Sequence, residues 1–383
     1  MSFATTFTTA QLASLSTSQI ITLATADIAA FSSDQLAAFT TSQIPAFTTA
    51  QLAGGITTTQ AAFLTTQQIG ALSSTQVGAL QSASFAVLST NDIAALSTAA
   101  IGGISAGQIK ALTTNQVVAL SSNQAAQLTS AQIAALTTNA IGALETGDLA
   151  AIKTSSIALL STAQVAALST GQITSLATGA IAALGTAAIA ALSTNQAVAL
   201  TSNQIASLST AQVAALTANS VGAIETADLA GLSTGDIAAL RTSQLAGLTT
   251  DQVGALSTNQ FAALSSAQVG ALSTNQIVAL TTGQASVLTA AQAAGLSTNG
   301  VAALSTNDFA ALSTNAIAAL SANQVKALTT NQIVALTTNE AAALGTAQVA
   351  ALSTNDIAAL ETADLSAIKV AAIAILSTAQ VSA

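Results

Sequence analysis

Carboxylates are the only side chains of this sequence whose type and spacing could do chemistry. Histidine and cysteine are absent, and the 14 acidic residues include three Glu-x-x-Asp pairs: Glu145/Asp148, Glu225/Asp228 and Glu361/Asp364. Two carboxylates so spaced could hold a hard cation such as calcium. The alternating Asp-x-Asp-x-Asp-Gly loop that encircles calcium is missing, so the pairs read as helix caps and surface charge rather than as a metal site. Without histidine there is no usual general base, no Ser-His-Asp triad and no imidazole ligand. Without cysteine there is no thiolate nucleophile, no disulfide framework and no sulfur ligand. Gly54-Gly55 and Gly102-Gly103 lack the lysine and the preceding strand of a phosphate-cradling loop. The sequence therefore predicts no catalytic residue, no cofactor site and no metal site, and no enzyme.

Most of the acidic residues occupy one position of an eight-residue repeat, and that repeat dominates the chain. From Ile56 to Leu376 every eighth residue is Leu or Ile. The unit reads Leu-(Ser/Thr)-Thr-x-Gln-(Ile/Val)-Ala-Ala, as in Leu256-Ser257-Thr258-Asn259-Gln260-Phe261-Ala262-Ala263. Number the octad from the residue after Leu: Ser/Thr is position 1, Gln or Asp position 4, Ile/Val position 5 and Leu position 8. Positions 5 and 8 share a face on a helix and oppose each other on a strand. Ala at positions 6 and 7 favours helix. Ser/Thr at position 1 and Gln at position 4 form the capping-box pattern, as at Ser257…Gln260 and Thr329…Gln332.

One continuous helix is excluded by arithmetic. Eight residues at about 100° each carry the Leu stripe round by about 80° per octad, so it would wind over the whole surface. The expected fold is all-α: a solenoid of very short helices, about two turns each, one per octad, with a continuous Leu/Ile core. Helices of that length are unstable alone and hold only by stacking. A β-solenoid with octad edges is the alternative, favoured by the Thr content and opposed by the spacing of positions 5 and 8. The number of octads per coil is left open.

The repeat starts at once, with Phe7, Leu15, Leu23, Phe31, Phe39 and Phe47 at position 8. Its phase slips by one residue within Leu52-Ala53-Gly54-Gly55-Ile56, close after Pro45, the only proline. This divides the chain into a Phe-bearing segment, 1–55, and a regular array, 56–383, with Gly54-Gly55 expected as a kink. Blocks ending in Glu-Thr-(Gly/Ala)-Asp recur at whole numbers of octads, which suits an array whose length matters more than any one residue.

Composition narrows the partners. Apolar residues make up 51% of the chain and charged residues 5%, against about 25% charged in an ordinary soluble domain. Polar residues in every octad keep any stretch well below the ~20 apolar residues of a membrane span. The net charge is −9, and the five basic residues, Lys110, Lys153, Arg241, Lys326 and Lys369, are scattered singly. Nucleic acid and anionic membranes, which need clustered Lys and Arg, are therefore poor partners. No basic segment precedes an apolar run after Met1-Ser2-Phe3, so no cleaved secretory signal is visible.

By its Leu-Ser-Thr-Asn-Gln-Ile-Ala-Ala-Leu pattern the chain resembles, over nearly all its length, the octapeptide tracts of large bacterial repeat proteins often labelled as adhesion or heme-utilization proteins. The resemblance implies an extracellular or cell-surface repeat protein and carries no site residue across. Heme ligation has no support, because the chain has no His, Cys or Tyr and a single Met. The expected function is structural: a protein that assembles head to tail with itself into a filament, sheath or matrix fibre. The alternative is an adhesin stalk or a binding solenoid for protein, glycan or ice, the last by way of its Thr rows. Solenoids that stay monomeric need polar capping repeats. The sequence begins with Phe3 and Phe7 and stops within an octad that includes Val381 and Ala383; these four residues are the expected assembly interface.

Overall fold

The computed structural model describes residues 6–383, and of Ala230 the backbone only. Among the described residues it contains 45 short α-helices, two 3-10 helices at Ile44–Ala46 and Asp228–Gly231, and no strand. There is one helical element per octad, as the spacing of positions 5 and 8 predicts. The α-helices run from four residues (Thr58–Ala61) to seven (Thr49–Gly55). They are shorter than the expected two turns, because each octad spends residues on the cap and the corner. At the corner after the helix Ala106–Ala111, Leu112 is extended (φ −61°, ψ 135°) and so is Thr113 (φ −76°, ψ 158°). No described residue has a positive φ. These corners need no left-handed glycine, which frees the position for a core Leu.

The described residues fall into two compact units, divided between Ala191 and Leu192. Both are built alike. In the first, the helix Ala106–Ala111 packs on Ser82–Ala86 before it and Ser130–Ala135 after it. In the second, Ala322–Lys326 packs in the same way on Thr298–Ala303 and Thr346–Ala351. Each helix thus stacks on the one three octads away, so a coil contains three octads.

The core is the stack of positions 5 and 8. Val117, Ile133, Val165 and Val269 at position 5, and Leu128, Leu136, Leu216 and Leu304 at position 8, are all buried. Each such side chain contributes about 1.5–3 kcal/mol, which is what holds helices too short to persist alone. In the first block Phe replaces Leu at position 8. Phe31 and Phe39 lie 5.8 Å apart and Phe39 and Phe47 5.0 Å, the second pair edge to face.

Two local departures follow the sequence. Pro45 turns its octad into the 3-10 helix Ile44–Ala46, since a proline nitrogen cannot donate in a helix interior. The phase slip produces no kink at Gly54-Gly55. Both glycines belong to the helix Thr49–Gly55, which simply takes in the extra residue. Gly55 makes a close approach there: a Cβ would lie 3.0 Å from the Ile28 side chain and 3.2 Å from the Thr25 carbonyl oxygen. The slip falls inside the first unit.

Candidate functional site

The surface that recurs in both units is the contact between successive coils, and Gln at position 4 makes it. Gln108 shows the arrangement. Its Oε1 accepts from the Ser105 backbone N–H at 2.7 Å, while its own N–H donates to the Ser105 hydroxyl at 3.3 Å. This is the capping box that the sequence predicts. The side chain does a second thing. Its Nε2 donates to the carbonyls of Val77 at 2.7 Å and Leu80 at 2.8 Å, which lie 31 and 28 residues earlier, where the helix Ser74–Ala79 ends in its corner. One amide therefore satisfies an orphan donor at the start of its own helix and the orphan Leu80 carbonyl at the end of another, and shares the Val77 carbonyl with the Leu80 N–H. In the second unit Gln260 does the same to Leu229 and Leu232, and Gln332 to Val301 and Leu304.

Sequence reasoning assigned Gln to capping alone and missed this bridge. The available signal was the preference for Gln over Glu. Either can close a capping box, but only the neutral amide carries hydrogens to donate onward. Burial agrees, since Gln108, Gln244 and Gln284 are fully enclosed.

Small residues set the separation of the coils. Gly78 and Gly103 face each other across the contact, as do Gly270 and Gly295. A Cβ on Gly78 would sit 2.6 Å from the Gly103 carbonyl oxygen, and one on Gly295 would sit 2.6 Å from that of Ser266. These are backbone atoms that cannot step aside, so the glycines are steric requirements of the stack.

Of the four expected interface residues, Phe3 lies outside the described residues. Phe7 is half-buried, and its carbonyl already accepts from Gln35 Nε2 at 2.8 Å. Val381 and Ala383 are exposed and line one largely apolar groove together with Leu365, Ile373 and Leu376. Nearby Val370, Ile375 and Val381 are exposed, as single large apolar residues such as Phe63, Leu159 and Val278 are elsewhere. The Glu-x-x-Asp pairs do not close the expected caps: Asp148 and Asp364 lie in the first turns of the helices Thr146–Ala151 and Thr362–Ala367, where a negative charge suits the helix dipole, but Glu145 and Glu361 make no side-chain capping bond. Among the described residues no group of three or more acidic side chains could hold a metal, and no helix is long and apolar enough to cross a membrane.

A family model described as the ALTTAQ repeat matches residues 20–54, 85–122, 107–138, 141–178, 176–210, 221–258, 253–282, 261–298, 301–338 and 357–383. No curated protein matches the chain. Among solved structures, the leucine-rich repeat-containing protein LegL7 from Legionella pneumophila is similar at 12% identity, over 69% of this chain and 83% of that one. The TM-score is 0.19, too low to speak for a shared fold.

Proposed function

The chain belongs to the ALTTAQ repeat family, and from that premise we propose that it is a structural, non-catalytic repeat protein whose copies join head to tail into a filament, sheath or matrix fibre. The observation that supports this is the polarity of the coil contact. One side of a coil donates through Gln amides and the other accepts through corner carbonyls, as Gln108 does with Leu80. A contact between unlike faces does not close on itself, and if repeated between molecules it gives an open filament. Gln11 and Gln19 complete their capping boxes but are exposed and bond to no carbonyl of another coil among the described residues. In the second unit Leu365, Val370, Ile375 and Val381 are open to solvent. The likeness of the octads to tracts of bacterial surface proteins supports a place outside the cell or on its surface.

Sedimentation velocity over a wide concentration range tests the reading. The wild-type chain should form large species whose size rises with concentration. A Phe7→Asp/Val381→Asp variant should stay monomeric with unchanged far-ultraviolet circular dichroism. A wild-type chain that is monomeric at every concentration would sink it.

A further inference from the structure

The buried carboxylates at position 4 of the α-helical octads fall into two groups according to the residue that caps them. Asp236 and Asp356 follow a capping serine. Their Oδ2 accepts from the serine N–H at 2.9 Å and from its hydroxyl at 2.6 Å, with Ser233 and Ser353 as the donors. Asp92 and Asp308 likewise take the hydroxyls of Ser89 at 2.7 Å and Ser305 at 2.6 Å. Glu340 takes that of Thr337 at 2.8 Å. In each case a hydrogen is supplied to a buried, charged oxygen.

Asp148 and Asp364 lack that supply. Their capping residues are Glu145 and Glu361, which offer no hydroxyl. One oxygen of each is satisfied from the neighbouring coil: Asp148 Oδ1 by the Ser122 hydroxyl at 2.7 Å, Asp364 Oδ1 by that of Thr338 at 2.9 Å. The other oxygen, Oδ2, is buried and has no hydrogen-bond partner in either residue. The two side chains are only 3% and 2% exposed. They are the only such buried, unpartnered side-chain atoms among the described residues. In both places a second carboxylate stands where a hydroxyl donor stands elsewhere. The third pair differs: Asp228 opens the 3-10 segment Asp228–Gly231, three residues after Glu225, and Asp228 Oδ2 is not left in that state.

We propose that Glu145 with Asp148, and Glu361 with Asp364, each bind a calcium-class cation. The buried Asp oxygen supplies one ligand and the Glu carboxylate, which reaches solvent, supplies a second. Water on the open side completes the shell. Two oxygen acceptors with no shared hydrogen are a poor hydrogen-bonding arrangement and a good hard-cation one. Calcium suits it better than magnesium, since it accepts irregular geometry and a mixed set of carboxylate and water oxygens. A site with two protein carboxylates belongs at the weak end of the calcium range, about 0.1–1 mM. The fold does not depend on it, because the core and the glutamine bridges are complete without an ion. Nor does it rest on self-assembly.

The test is equilibrium dialysis of the full chain against calcium chloride, up to about 10 mM, an order of magnitude above the weakest such sites. The wild-type chain should take up two ions saturably. The variant Glu145→Ser/Glu361→Ser restores the hydroxyl of the other octads, so it should fold normally and lose both ions. Each single variant should lose one. No saturable uptake by the wild-type chain, or uptake unchanged in the double variant, would overturn the proposal.

Discussion

Gln108 Nε2 stands 2.8 Å from the carbonyl oxygen of Leu80, a residue 28 places earlier and a full coil away. That bond links two ends that short helices cannot satisfy by themselves, the amides of one and the carbonyls of another. It also couples local order to stacking, because the amide that reaches across belongs to the same side chain that caps the helix.

The bridge can be separated from the cap by charge. Gln108→Glu keeps the oxygen that accepts from Ser105 and loses the hydrogens given to Val77 and Leu80. Thr337 and Glu340 show that glutamate closes the cap in this fold, with the Thr337 N–H 2.7 Å from the carboxylate. The variant should remain helical and lose about 1–3 kcal/mol, the cost of orphaning a buried carbonyl. Amide hydrogen exchange of residues 74–111 should rise locally. An unchanged exchange rate would mean that the bridge adds nothing.

Glycines separate by what a methyl group would meet. Gly78→Ala places Cβ 2.6 Å from the Gly103 carbonyl oxygen, whereas at Gly179, inside the helix Thr178–Ala183, it meets nothing within 4 Å. The first substitution should destabilise by about 1–3 kcal/mol through overpacking. The second should stabilise by about 0.5–1 kcal/mol, since alanine loses less backbone entropy on entering a helix. Denaturant midpoints of the two variants should move in opposite directions.

Phenylalanine at position 5 should matter and at position 7 should not. Phe261 is fully buried, while Phe63 is 53% exposed. Phe261→Ala should cost about 3–5 kcal/mol, and Phe63→Ala should stay within about 0.5 kcal/mol of the wild type. Thermal unfolding followed by circular dichroism at 222 nm reads both. Equal losses would show that position 5 is not the core that its burial indicates.

Capping can be tested at one octad. Ser105 accepts from the Gln108 backbone N–H at 3.3 Å, and its own N–H binds the Gln108 amide oxygen. Ser105→Ala removes the first bond and leaves the second, for a loss of about 1 kcal/mol. Ser105→Asp should recover most of it, because aspartate is as good a capping residue. Failure of Asp to rescue would point to a packing role for the serine instead.

The helical nature of each octad was legible in sequence because it rests on spacing within eight residues. Ile and Leu three apart can enter one core only on a helix, and the hydroxyl at position 1 meets an amide three residues on. The expected lengths were too generous, and Gly54-Gly55 was misread as a kink, because glycine marks close approach as readily as it marks a bend. Three octads per coil could not be read from the repeat. That number is the sum of many corner torsions, such as those of Leu112 and Thr113, which the residue types permit without dictating. The second use of Gln108, and the orphaned oxygens of Asp148 and Asp364, were hidden for a related reason. A hydrogen bond spanning 28 residues has no local signature, and whether a buried oxygen finds a donor depends on which coil the stacking brings beside it.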